Sequence, residues 1–117
     1  MKYLALIFGD EGAWEALPEE ERRQVYERYR SFSAENDGKI VRGAEMAPTR
    51  TATTVRVRGG ETDVTDGPFE TIDEPLGGFF VFDCRSMDEA GELATRIPGA
   101  ATGTVEVWPA YVGEEAS

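Results

Sequence analysis

Two segments of this 117-residue chain, Lys2–Phe8 and Gly77–Asp83, read as strands that are apolar on both faces. In the first, Tyr3, Ala5 and Ile7 alternate with Leu4, Leu6 and Phe8; in the second, Phe79 and Val81 oppose Phe80 and Phe82. Successive side chains of a strand point to opposite sides, so each of these strands must be covered twice. The chain offers two long segments of helical periodicity, and two helices laid side by side cover one face of a small sheet. Tyr, Phe and Leu side chains on the other face still need cover. For so short a chain the simplest cover is a second copy, sheet against sheet, and a two-fold homodimer with a space between the sheets is expected.

The remaining pattern supplies the other elements. After a polar loop holding Trp14, Pro18 suits a first helical turn, and Glu19, Glu20 and Glu21 sit where the helix dipole favours negative charge. Val25, Tyr29 and Phe32 form an apolar stripe widened by Tyr26, and Asn36-Asp37-Gly38 ends the helix. Ser86-Met87-Asp88-Glu89 has capping-box spacing and opens a second helix with the stripe Met87, Ala90, Leu93, Ala94 and Ile97, stopped by Pro98-Gly99. A strand from about Lys39 to Met46 is broken by Ala47-Pro48-Thr49. Thr51–Arg58 and Glu61–Asp66 flank Gly59-Gly60, the dipeptide of a tight hairpin turn. Counting outward sets Arg58 against Glu61, Arg56 against Asp63, Val55 against Val64 and Thr54 against Thr65, with complementary charge pairs on one face. The last strand, Thr104–Trp108, turns Val105 and Val107 to the core and Glu106 with Trp108 to the other side.

This order, βαβ, hairpin, βαβ, predicts an α+β ferredoxin-like sandwich with an inserted β-hairpin, closing as a dimeric α/β barrel. One domain covers residues 1–112, and 113–117 form an acidic C-terminal tail.

Charge and missing residue types narrow the function. With 12 Lys and Arg against 23 Asp and Glu, the net charge of -11 opposes nucleic acids and anionic membranes as partners. There is no histidine, which excludes Ser-His-Asp and Cys-His nucleophile systems, His-ligated haem and the usual His-containing zinc sites. Cys84 is alone, so it forms no internal disulfide; it suits a reducing cytoplasm and reads as a buried structural thiol. No apolar stretch approaches the ~20 residues of a membrane span, and the opening residues read as a strand, not a leader. Carboxylate-only binding of Mg²⁺ or Ca²⁺ requires convergent oxygens, and no loop has EF-hand spacing. No metal and no cofactor are expected.

Asp66-Gly67-Pro68-Phe69 is the most distinctive tetrapeptide. An Asp able to bond backbone N–H groups two residues on, a permissive Gly, a Pro with fixed φ and an anchoring Phe make a rigid turn. The same carboxylate, facing a pocket, would serve as an acid or base. With this motif the chain resembles the YCII-related proteins, in the branch named for its DGPF motif. The resemblance also rests on Met1-Lys2-Tyr3-Leu4, Gly9-Asp10-Glu11, Ala52-Thr53-Thr54-Val55-Arg56-Val57-Arg58 and Thr65. It continues through Leu76-Gly77-Gly78-Phe79-Phe80 and Gly103-Thr104-Val105-Glu106-Val107. The resemblance implies a ferredoxin-like fold and a dimeric α/β barrel. In another branch a His on the first helix and an Asp in a DP motif after the second are proposed as a catalytic pair. Here those regions read Val25-Tyr26-Glu27-Arg28-Tyr29 and Arg96-Ile97-Pro98-Gly99, with neither residue. The resemblance further implies an association with sigma factors.

Two functional readings follow. The first is a homodimer enclosing a small-molecule pocket with carboxylate-based acid/base chemistry. Asp66 and Glu106 are its candidate catalytic residues, and Tyr26, Asp66, Glu74, Glu106 and Trp108 its candidate ligand contacts. Each has a structural alternative: Asp66 a turn, Glu106 an ion pair, Glu74 a solvated loop charge, Tyr26 and Trp108 the core. The second is a non-catalytic module whose acidic surface meets a sigma factor or other regulatory protein.

Overall fold

The computed structural model describes residues 1–111; residue 112 of the expected domain and the acidic segment 113–117 lie outside the described residues. The elements are β1 (Lys2–Phe8), α1 (Glu11–Ala16), α2 (Glu19–Glu35), β2 (Ile40–Glu45), β3 (Thr53–Arg58), β4 (Glu61–Asp66), β5 (Leu76–Asp83), α3 (Met87–Ala94) and β6 (Thr104–Pro109). Short 3-10 turns occupy Thr49–Thr51 and Pro98–Ala100. Four strands form one antiparallel sheet in the order β2-β5-β1-β6, and β3 and β4 form a separate two-stranded sheet. Without the hairpin this is the ferredoxin-like α+β arrangement, with the doubly apolar strands β1 and β5 at the centre.

The β1–β5 register sets Tyr3 opposite Phe82 and Ala5 opposite Phe80 on one face, and Leu4 opposite Val81 and Leu6 opposite Phe79 on the other. The first set is buried under α2 and α3 with Phe32, Ala90, Leu93, Ala94 and Ile97. Phe32 stands 5.4 Å from Phe80 and 6.5 Å from Phe82, ring centre to ring centre, and the two strand phenylalanines stack at 5.9 Å. The second set has no helix over it. Cys84 is buried in the core, and burial, followed by the charge of Glu89, pushes its thiol pKa up.

Local chemistry sets the helix boundaries. Pro18 stands at the cap position, one residue earlier than expected, and its carbonyl accepts the N–H groups of Glu21 and Arg22. Asn36 closes α2, its buried side-chain amide donating to the Phe32 carbonyl at 2.8 Å. Ser86 caps α3 by accepting the Glu89 N–H at 3.2 Å. The Glu89 carboxylate accepts the N–H of Arg85, one residue before the cap, at 2.7 Å. The helix stops at Ala94, short of the full stripe, yet Ile97 remains buried because the chain turns tightly beneath it. The region around Trp14 is a helix and not the expected loop: Asp10 accepts the Ala13 N–H at 2.9 Å, a cap strong enough to start a short turn without an apolar stripe. No helix among the described residues is long and apolar enough to cross a membrane.

The β3–β4 hairpin has the expected register at all four pairs. Gly59 and Gly60 take φ values of 57° and 84°, the left-handed pair that a two-residue turn requires. Strand β3 begins at Thr53, two residues later than expected, because the chain first winds through Thr49–Thr51 behind Pro48. The expected ion pairs do not close. Arg58 donates to the Val57 carbonyl at 3.2 Å and Asp63 accepts from the Thr65 hydroxyl at 3.1 Å. Exposed ion pairs are worth at most about 1 kcal/mol, too little to outbid local hydrogen bonds.

Two stability predictions follow from this packing. A Cβ on Gly43 would lie 2.6 Å from the Phe80 ring and 2.9 Å from the Phe79 carbonyl oxygen. Gly43→Ala should therefore destabilise by about 1–3 kcal/mol, measured by urea denaturation. Glu89 is lowered from the ordinary 4.5 to about 2, first by the Arg85 N–H, then by the Arg85 guanidinium, with Lys39 adding a smaller effect. A depressed carboxylate stabilises the fold above its unfolded pKa, and that share is lost as pH falls from about 4.5 to about 2. The gap in melting temperature between wild type and Glu89→Gln should be full at neutral pH and shrink through that window.

Candidate functional site

At the end of the sheet where β1 stops and β5 begins, the single chain forms a half-open cavity of about 630 Å³. Helix α1, the first half of α2, the end of β2 and the turn at Pro98-Gly99 complete its wall. Residues Met46–Pro48 close one side of the cavity, held where Glu11 accepts the Thr49 N–H at 2.8 Å and the Thr49 hydroxyl at 2.9 Å.

Three aromatic side chains and one carboxylate give the cavity its chemistry. Trp14 meets Tyr26 edge to face, ring centres 5.5 Å apart. The Tyr26 hydroxyl lies 3.0 and 2.9 Å from the two oxygens of Glu45 and can donate to either. Burial, then the hydrogen bond and charge of Glu45, push the Tyr26 phenol pKa up, against a smaller lowering by Arg22. Tyr29, stacked at 6.3 Å on Phe80, accepts the Gly99 N–H at 3.1 Å. Burial raises the Tyr29 pKa, the Gly99 N–H opposes this, and the charge of Glu45 adds to it. Among the described residues the Tyr29 hydroxyl proton has no acceptor, leaving one donor toward the cavity.

The other acidic residues of this wall have structural work. Asp10 caps α1, Glu11 holds Thr49, and Glu15 pairs with Arg50 at 3.4 Å. Among the described residues the Glu45 carboxylate is bonded only to Tyr26, a side chain that can itself exchange a proton. Such a pair can take a proton from a bound hydroxyl and return it without a histidine. No cluster of three or more His, Cys, Asp or Glu side chains able to share a metal ion occurs among the described residues.

The structure separates the residues singled out in the sequence. Tyr26 lines the cavity. Glu106 and Trp108 lie on the uncovered sheet face, where the indole N–H donates to Glu106 at 2.7 Å. Glu74 accepts the Thr104 hydroxyl at 3.1 Å at the start of the same strand. Asp66 is exposed at the base of the hairpin and makes no side-chain hydrogen bond among the described residues. The expected bond from Asp66 to the backbone two residues on is impossible, because Pro68 has no N–H. The turn is closed instead by the Gly67 N–H on the Ala52 carbonyl and the Thr54 hydroxyl on the Gly67 carbonyl. Phe69, expected to anchor the turn, is 74% exposed. Glu45, Trp14 and the free donor of Tyr29 carry no local sequence signal: Tyr26 and Glu45 are 19 positions apart and meet only through the fold.

Glu45→Gln should start the Tyr26 ionisation at lower pH, because burial remains while the charge is gone. Ultraviolet titration of the phenolate checks this, with Tyr26→Phe in each background isolating the signal.

The YCII-related domain profile matches residues 1–111. "Uncharacterized protein R00369" of Rhizobium meliloti (strain 1021) is 37% identical over 113 residues, covering 93% of this chain and 91% of that one. Among solved structures, the chain is similar to 5-chloro-2-hydroxyhydroquinone dehydrochlorinase (TftG) from Burkholderia phenoliruptrix AC1100, determined in complex with 2,5-dihydroxybenzoquinone. The TM-score is 0.59 at 16% identity, with 98% of each chain covered, a likeness of fold.

Proposed function

The chain belongs to the family of YCII-related domains, and from that premise we propose that its cavity binds a small, planar, oxygenated molecule. The Tyr26–Glu45 pair then handles a proton of that molecule. The observation that carries this reading is the Tyr26 hydroxyl set 3.0 and 2.9 Å from both oxygens of Glu45 in an aromatic wall. A ligand hydroxyl reaching Tyr26 gives its proton to the Tyr26 oxygen as the Tyr26 proton passes to Glu45. The ligand is left as an oxyanion and Glu45 as the neutral acid, and the reverse step restores both. Tyr29 supplies a hydrogen bond to a second ligand oxygen. The structurally similar dehydrochlorinase was captured with a ring bearing oxygens of these kinds, which supports an oxygenated ring as the ligand class.

The finer expectations enter the same proposal. Asp66-Gly67-Pro68-Phe69 supports a place in the DGPF branch, and the uncovered sheet face supports a homodimer. The acidic composition, net -11, supports the second reading of a module that meets a sigma factor or other regulatory protein.

Calorimetric titration of the protein with 2,5-dihydroxybenzoquinone and hydroquinone tests the cavity. Binding should be seen with the wild type, and Glu45→Gln should weaken it about tenfold or more, the scale of one lost charge-assisted hydrogen bond. Asp66→Ala and Glu106→Ala should leave it unchanged. Equal binding by Glu45→Gln would overturn the assignment, and loss on Asp66→Ala would move the site to the hairpin base. A specific complex with a sigma factor and no response to either ring would favour the second reading.

A further inference from the structure

The hairpin is amphipathic, and among the described residues nothing packs substantially beneath its apolar side. The alternation of the strands and the register place Val55, Val57 and Val64 on one face, with Thr53, Thr62 and Asp66 around them. Arg56, Arg58, Glu61 and Asp63 occupy the other face. The three valines are 60%, 57% and 62% exposed. Strands β3 and β4 pack substantially only against each other, and their sheet is not joined to the main one. A two-stranded hairpin alone is marginally stable in water, and a valine face of this kind forms where it is buried.

The chain carries a second apolar surface, partly exposed, on its main sheet. Leu4, Leu6, Phe79 and Val81 face away from the helices, and Trp108 on that side is 54% exposed. The size of the deficit fits a protein partner. A compact monomer of 12.9 kDa is expected to expose about 6,300 Å², whereas this chain exposes 8140 Å². The excess is roughly 1,800 Å², about twice the ~800 Å² that each partner of a standard interface buries. Its radius of gyration, 16.2 Å, likewise exceeds the ~13 Å of a compact domain of this length.

We infer that the hairpin is an arm whose valine face seats on the uncovered sheet face of a second copy of this chain. A two-fold axis favours this occupant over a foreign protein. One isologous contact covers the arm and the sheet of both copies at once, while a foreign partner would have to cover each surface separately. The charged face of the arm then remains in water, which accounts for its arginines and acids. The inference rests on the homodimer reading above and goes beyond it by assigning the inserted hairpin to the interface.

Sedimentation equilibrium across nanomolar to tens of micromolar protein tests the assignment. The triple variant Val55→Thr, Val57→Thr and Val64→Thr keeps β-branched shape and strand preference while removing apolar contact. It should raise the dimer dissociation constant about tenfold or more, and Val64→Asp should raise it further. The charged-face variant Arg56→Gln with Asp63→Asn should leave it within about twofold, as exposed rim charges do. Leu6→Asp, on the sheet face, should also dissociate the dimer. Circular dichroism of the valine variants should keep the helical signal, since the arm does not pack on the helices. A wild-type dimer unaffected by the valine variants would overturn the arm assignment and leave the homodimer standing. A wild-type monomer at tens of micromolar would overturn both.

Discussion

The pairing of β1 with β5 sets Tyr3 against Phe82 and Ala5 against Phe80 on one side, and Leu4 against Val81 and Leu6 against Phe79 on the other. Hydrophobic demand on both faces of these strands forces them to the middle of the sheet. Two helices meet that demand on one side, with Phe32 seated against Phe80 and Phe82. No helix covers the other side, and the partly exposed apolar face of the main sheet follows from that asymmetry. The cavity also depends on the pairing. It opens where β5 begins, and Tyr29, stacked on the core residue Phe80, lies in its wall.

Acid/base chemistry without histidine depends on which carboxylates the fold leaves uncommitted. Asp10, Glu11 and Glu15 crowd the same wall, yet one starts a helix, one fixes a loop and one pairs with an arginine. Glu45 differs in having a phenol as its partner, so proton exchange within the pair breaks no structural bond. Tyr29 adds a donor because its oxygen is engaged by the Gly99 N–H while, among the described residues, its proton is not. Two phenols and one carboxylate thus set the donors and the acceptor on which the proposed binding of an oxygenated ring rests.

Local patterns were legible wherever one element contains its own explanation. Alternation identified the strands, Gly59-Gly60 set the hairpin register, and Ser86 marked the start of α3. The short helix α1 was hidden because one capping aspartate decides it and no stripe announces it. Within Asp66-Gly67-Pro68-Phe69, the turn was legible but its closing bonds were not, since they come from Ala52 and Thr54 on the neighbouring strand. The candidate site was less legible still. Tyr26 was visible as the edge of a helical stripe, whereas its partner Glu45 sits on another element and nothing in its neighbourhood singles it out.

The sequence by itself determined the order of the strands and of helices α2 and α3, the central place of the two doubly apolar strands and the exclusion of histidine chemistry. These depend on periodicity and composition, which each segment carries within itself. Tertiary structure alone decided that Glu45 meets Tyr26, that the other carboxylates of the wall are occupied, and that the valine face of the hairpin stays exposed among the described residues. Those outcomes depend on which distant segments the β2-β5-β1-β6 order brings together, and contact between elements has no period along the chain.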